Sequence, residues 1–389
     1  MKKYLLFLLA ISLGLVANAQ SDKQYHKVTA TMKSGEKIAY LTDDLDSITF
    51  AYYESAQVGL KQRYATSSSV AVDFELQPNC SKFYAACLPA GKVLSDDEIK
   101  DYLLENKTVE SDASYVKDFT ELESEKDYIV YALAFDSNEI PSGVSKLNVR
   151  TGKVADDLLR IEIIETTPTT VTYKVVPNNF SGKYEALCSG YEKYIEDCNA
   201  ESNGGDVINH FIAYWQWLAS MYPGETWQSI MDRQLYTGEQ SITGTRLRWN
   251  SKQMIVAFGM DADGNPTTPV YTKTANTPAA KPTTNQITLT LSDLGARTVT
   301  LNAKTTNDEG YVLAVEGEAY VNAFKGDYKA MAEDFCYQVD VNPLVVNGDS
   351  SKTFPNRKPG RKYFAFAIPI DEGAPAGEPI VIPFTTPAE

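Results

Sequence analysis

Hydrophobic and polar positions alternate with a period of two through most of the chain, in short runs broken by Gly, Pro, Asn and Asp. That period puts successive side chains on opposite faces of a strand, so the runs predict half-buried β-strands. Val70–Leu76, Val171–Val176 and Val299–Ala303 are three such stretches. Each follows another expected strand (Val58–Tyr64, Ile161–Glu165, Ile287–Leu291) and precedes one beginning near Tyr84, Tyr184 or Tyr311. Three later runs, Tyr128–Asp136, Gln253–Asp261 and Tyr363–Asp371, are nearly continuous in apolar character. Each carries an alanine four residues before its aspartate: Ala132, Ala257 and Ala367. Each then turns through Gly or Asn into a strand expected to close on a threonine, Thr151, Thr274 or Thr386. Apolar strand, turn and partner strand make a β-hairpin, and the pattern recurs three times.

Between the third and later strands of each repeat the alternation stops. Ser95-Asp96-Asp97-Glu98 has capping-box spacing ahead of IKDYLLE, and Asp327 precedes the helix-favouring YKAMAEDF. The second repeat has the longest interruption. Gly204-Gly205-Asp206 offers a break and an N-cap, and a helix is expected over Val207–Met221. At 3.6 residues per turn, Val207, Phe211, Tyr214, Leu218 and Met221 fall on one stripe, with Ile208, Ile212, Trp215, Ala219 and Tyr222 beside it. After Pro223-Gly224, the residues Trp227, Ile230, Met231 and Leu235 form a second apolar face, with Gly238 as the expected terminator. Trp215 and Trp227 therefore belong to a core. Trp217 projects onto the margin of the polar face, near His210 two turns earlier.

Short strands with regular turns predict β-sandwiches of immunoglobulin-like type. The hairpin pattern with its closing threonine resembles the fibronectin type III-like and immunoglobulin-like repeats of secreted Bacteroidota proteins. HKVTATMKSGEKIAYLTDDLDSITF, His26–Phe50, is similar to the short amino-terminal element of such proteins. The expected fold class is mainly β: three tandem immunoglobulin-like/fibronectin type III-like sandwiches, each with a helical insert, largest in the second. The expected divisions are a β-hairpin element over 20–53 and repeats over 54–154, 155–277 and 278–389, with Asn276–Asn285 linking the last two. The resemblance transfers no catalytic residue, and sandwiches of this kind host unrelated roles.

Lys2 and Lys3, the apolar run Tyr4–Val16 and the small residues Ala17-Asn18-Ala19 read as a signal peptide over residues 1–19, cut before Gln20. The run is too short to span a bilayer, and no later segment is long enough, so no membrane-spanning segment is expected after cleavage. The expected location is the periplasm, the cell surface or the extracellular space. A net charge of −15 repels phosphate backbones, which argues against nucleic-acid partners. Five cysteines (Cys80, Cys87, Cys188, Cys198, Cys336) form no CxxC motif, and only Cys188 and Cys198 are placed to close a small loop.

Candidate chemistry is sparse. Asp261-Ala-Asp263-Gly-Asn265 alternates oxygen ligands as calcium loops do, but Pro266 and Thr272 stand where an EF-hand needs Gly and Glu. Turn chemistry explains the stretch, and no metal or cofactor is expected. The only histidines are His26 and His210, so a Ser/His/Asp or Cys/His mechanism must use one of them. Cys188 or Cys198 with His210 lies in no nucleophile motif. No catalytic residue is assigned. The reading is a non-catalytic exported envelope protein, binding a glycan or another envelope protein, with Trp217 and His210 as the ligand-binding residues. The alternatives are a purely structural or assembly role and a hydrolase using His210 or a carboxylate pair.

Overall fold

The computed structural model describes residues 26–32, 35–48, 54–91 and 94–389. The expected leader and cleavage site lie outside the described residues, as does the end of the Asp-Asp-Leu-Asp-Ser-Ile-Thr-Phe stretch. Residues 55–389 form one compact unit, and the amino-terminal segment forms another. In the latter, β1 (Lys27–Thr31) pairs antiparallel with β2 (Lys37–Leu41), setting Lys27 opposite Leu41.

The larger unit repeats one plan three times. The first repeat holds β3 (Val58–Ala65), β4 (Val70–Leu76), β5 (Lys82–Pro89), α1 (Asp96–Asn106), β6 (Val109–Ser111), β7 (Tyr115–Phe119), β8 (Asp127–Phe135) and β9 (Pro141–Arg150). The second holds β10 (Leu159–Thr166), β11 (Val171–Pro177), β12 (Lys183–Gly190), the short α2 (Tyr191–Lys193), α3 (Val207–Met221), α4 (Trp227–Gln234), β13 (Gln240–Gly244), β14 (Ser251–Met260) and β15 (Tyr271–Thr277). The third holds β16 (Ile287–Ser292), β17 (Val299–Thr305), β18 (Tyr311–Gly317), α5 (Glu318–Ala323), α6 (Tyr328–Gln338), β19 (Ser350–Phe354), β20 (Lys362–Asp371), β21 (Ala374–Pro375) and β22 (Ile380–Thr385).

In each repeat one sheet has three strands, ordered β3-β4-β7, β10-β11-β13 or β16-β17-β19. The other is built on β5-β8-β9, β12-β14-β15 or β18-β20-β22. All pairings are antiparallel, and the sequential order crosses from one sheet to the other as in immunoglobulin-like and fibronectin type III-like sandwiches. The helices leave after the third strand in every case.

Burial explains the apolar runs. Along β8, Tyr128, Val130, Ala132 and Ala134 face the core between the sheets, against Val72, Phe74 and Phe83. The intervening Tyr131, Leu133 and Phe135 face outward and are covered by Ile99 and Leu103 of α1. A strand buried on both faces loses its polar alternation. β14 behaves likewise, with Ile255 and Ala257 inward and Met254, Val256, Phe258 and Met260 under α3 and α4. β20 sends Ala365 and Ala367 inward and Phe364, Phe366 and Ile368 under α6.

The closing threonines have a defined task. The Tyr128 hydroxyl accepts from the Glu123 N–H (2.9 Å), and Tyr363 does the same with Lys358 (2.8 Å). This is the tyrosine corner of such sandwiches. The Thr151 hydroxyl donates to the Glu123 carbonyl (2.6 Å), and that of Thr386 to the Lys358 carbonyl (2.7 Å). In the second repeat Gln253 replaces the tyrosine, and its amide donates to the Arg248 carbonyl (3.0 Å). The closing threonine there is Thr277, whose hydroxyl donates to the same carbonyl at 2.6 Å. Thr274, expected in that role, bonds Glu121 of the first repeat instead (3.2 Å). β15 simply runs on to Thr277, so the linker to the third repeat begins after it.

α3 spans Val207–Met221 as expected, with Asp206 accepting from the Ile208 N–H (3.0 Å). Its buried residues are Val207, Ile208, Phe211 and Trp215, so Tyr214, Met221 and Tyr222 of the expected stripes are exposed. The buried arc follows β14, and the outer side of the last turns stays exposed at Trp217, Met221 and Tyr222. α4 ends at Gln234, where Leu235 turns extended; Gly238 lies beyond it with φ +65° and leads into β13. Trp227 is half-buried and its indole lies against Gly264, where a Cβ would come 2.1 Å from the ring. All five cysteines are free thiols. Cys188 faces the core between the sheets and Cys198 the helix-side core, on opposite faces of one sheet, which rules out the small loop.

The second repeat's insert also reaches the first repeat. Arg63 on β3 pairs with Asp73 (2.8 Å) and with Asp206, the cap of α3 (2.5 Å). The Val116 N–H donates to the Gly204 carbonyl (2.6 Å), and the Tyr115 hydroxyl donates to the Asn199 carbonyl. Gly205 has φ +71°, and a Cβ there would lie 1.9 Å from the Val116 oxygen, so glycine alone permits this approach. Between the second and third repeats, Thr169 donates to the Glu372 carbonyl (2.6 Å) and the Arg248 guanidinium lies 5.6 Å from the Tyr337 ring. The linker is held by the Glu309 carboxylate, which accepts from Thr283 Oγ1 (2.6 Å) and the Thr284 N–H (2.7 Å). These bonds pull its carboxyl down to about 2.

Candidate functional site

β12 alternates Tyr184, Ala186 and Cys188 toward the core between the sheets with Glu185, Leu187 and Ser189 toward the insert. α3 and α4 cover most of that outer face but leave a cleft of about 540 Å³ over β12. Its volume falls within the range of small-molecule sites. Glu185 lies on the floor, His210, Phe211 and Tyr214 come from α3, and Gln234 and Tyr236 follow from the end of α4.

Glu185 is 9% exposed, and its Oε1 accepts from the Ala186 N–H at 3.0 Å. Burial pushes its carboxyl up to about 7. Lys193, which also lines the cleft, forms an ion pair with Asp197. The His210 ring stands edge-on to Phe211, with centroids 5.7 Å apart. Tyr214 and Trp217 are tilted 30° with centroids 6.0 Å apart, and they are 44% and 54% exposed. The two expected ligand residues are thus not equivalent. His210 lines the cleft; Trp217 does not, but it extends outward the aromatic surface that Tyr214 begins.

The sequence places Tyr214 on an apolar stripe and assigns no site role to it, to Glu185 or to Tyr236. Glu185 carries a weak signal, an acid within the otherwise apolar strand Tyr184–Cys188, which gains meaning only once the outer face of β12 is known to be covered. Cys188 points away from the cleft into the core between the sheets. Cys198 lines the cleft with His210, and burial pushes its thiol up to about 12, leaving it protonated at neutral pH. Asp261 accepts from the backbone N–H groups of Asp263 (3.0 Å) and Asn265 (2.8 Å), the geometry of a capped turn. Among the described residues no group of three or more His, Cys, Asp or Glu is placed to hold a metal, and no helix is long and apolar enough to cross a membrane.

A second cleft, of about 560 Å³, lies between the first repeat and the insert. Of its charged residues, Arg63 pairs with both Asp73 and Asp206, and Lys61 and Glu75 also line it. Beside it Asp118 is buried, with its carboxyl pushed up to about 6.

No family model matches the chain, and no curated protein matches it. Solved structures it matches include the FN1–FN3 domains of chicken CNTN1, at 11% identity over 85% of this chain and 97% of that one, with a TM-score of 0.22. Others are the central fibronectin-III array of RIM-binding protein (12%; 85% and 98%; TM-score 0.18) and a two-domain fibronectin type-III segment of chicken tenascin (13%; 59% and 100%; TM-score 0.19). The sandwich type rests on the strand order and the tyrosine corners of the chain itself.

Proposed function

We propose that the protein is a non-catalytic binding module of the cell envelope whose ligand is a glycan. The observation that carries this reading is the cleft over β12, continued outward by the exposed Tyr214–Trp217 pair. Aromatic rings side by side at a cleft mouth suit the apolar face of a sugar, with polar groups inside to fix its hydroxyls. In this reading Trp217 and Tyr214 stack on the sugar, while His210 and Glu185 bond its hydroxyls. Residues 1–19 act as the export signal, and the protein works in the periplasm, on the cell surface or outside, as the resemblance to secreted Bacteroidota repeat proteins implies. The units 54–154, 155–277 and 278–389 act as successive repeats of one scaffold, following the amino-terminal element 20–53 in sequence.

The test is titration of the purified chain, without its leader, against a panel of glycans while Trp fluorescence is followed. A saturable shift, weakened by Trp217→Ala, supports the reading. No shift with any glycan, or an affinity unchanged by that substitution, removes it. The second reading is an assembly role, favoured by the exposed Tyr214, Trp217, Met221 and Tyr222 as a protein-contact patch. Crosslinking in envelopes would then recover a protein partner independently of sugar. A substrate screen that turns over in a His210-dependent way would replace both readings with a hydrolase.

A further inference from the structure

We propose that the ligand of the β12 cleft carries an unsubstituted amino group that docks on Glu185, so that the glycan is one containing a free amino sugar. The inference rests on the glycan reading and narrows it.

Three features of the cleft converge on a compact cation. Glu185 is a carboxylic acid almost wholly withdrawn from water, yet its side chain stands on the cleft floor. Its hydrogen bond is to the backbone N–H of its own neighbour, and among the described residues it takes part in no ion pair. Without a cation such a carboxyl relieves the cost of burial by holding its proton, and an ammonium arriving from the open side lets it ionise as one half of a pair. The lysine in the lining, Lys193, is already engaged by Asp197, which also lines the cleft. The walls reinforce the choice. Phe211, Tyr214 and Tyr236 bring aromatic side chains to the lining, and the negative face of an aromatic ring attracts a cation and repels an anion. The whole chain, at −15, also draws cations toward it. A hydroxyl on the sugar would satisfy one lone pair of Glu185, whereas an ammonium supplies up to three donors and the missing charge.

The experiment is calorimetric titration of the chain lacking its leader with a glucosamine trisaccharide in two forms, one with free amino groups and one fully N-acetylated, at neutral pH. The free-amine form is expected to bind at least about tenfold more tightly, the worth of one charge-assisted hydrogen bond. Glu185→Gln, which keeps the side-chain size, should weaken the free-amine form the more strongly of the two and so erase that preference. Trp217→Ala should weaken both forms alike. A native-protein control needs no variant: raising the pH until the amine is neutral should also erase the preference. Equal affinities, tighter binding of the acetylated form, or a preference that survives Glu185→Gln or amine neutralisation overturns this inference and leaves the glycan reading standing. Binding of neither form, with no response across the glycan panel, overturns both.

Discussion

The indole N–H of Trp215 donates to the side-chain oxygen of Gln234 at 2.9 Å, joining α3 to the end of α4. Trp215 is fully buried among Phe211, Phe258 and Met231, while Gln234 lines the β12 cleft. A fully buried residue of the insert therefore also fixes one wall of the candidate site.

Trp215 and Trp217 are one helical step from sharing a face, yet their substitutions should part widely. Trp215→Ala empties a packed core and abandons the Gln234 bond, and is expected to cost about 3–5 kcal/mol. Trp217→Ala, at an exposed position, is expected to change stability by no more than about 0.5 kcal/mol. Urea unfolding followed by far-ultraviolet circular dichroism separates the two. A large loss from Trp217→Ala would mean that its ring is structural.

Asp118 makes stability depend on pH. Its carboxyl is raised to about 6 by burial, facing Lys117, Tyr64 and Ser69, with Asp206 nearby, and its Oδ1 has no hydrogen-bond partner. The folded state thus holds this proton more tightly than the unfolded chain. The contribution is full below the ordinary carboxyl value and is lost as pH rises through 6. A two-unit shift corresponds to about 3 kcal/mol. Glu185, raised to about 7, acts with the same sign. Asp118→Asn should raise the melting temperature at pH 8 and flatten its fall between pH 4 and 7, leaving the part due to Glu185. An unchanged slope in thermal melts across that range would contradict the assignment.

Tyr128→Phe and Tyr363→Phe should each cost about 1 kcal/mol, because the N–H groups of Glu123 and Lys358 lose their acceptor. The sites lie in different repeats, so the double variant should be additive within about 0.5 kcal/mol. Guanidinium titrations of the three variants measure this. A marked excess in the double variant would mean that the corners are coupled through the second repeat.

Much of the architecture was legible in the chain itself. Alternation located the strands, the Ser95–Glu98 box and Asp206 located helix starts, and the three repeats showed in the Tyr128, Gln253 and Tyr363 runs. Periodicity also separated Trp215 from Trp217, since burial along one helix is a local property. These are signals carried by neighbours in sequence. Only the tertiary structure decided what covers each outer sheet face. That covering turned Tyr214 and Met221 outward and set Cys188 and Cys198 on opposite sides of one sheet, while the length of β15 gave Thr277 the place expected for Thr274. It also enclosed Glu185 in a cleft and brought Gly205 against Val116. The physical reason is the same in each case: a strand has two faces, and sequence period assigns a residue to one of them without saying which distant element will bury it.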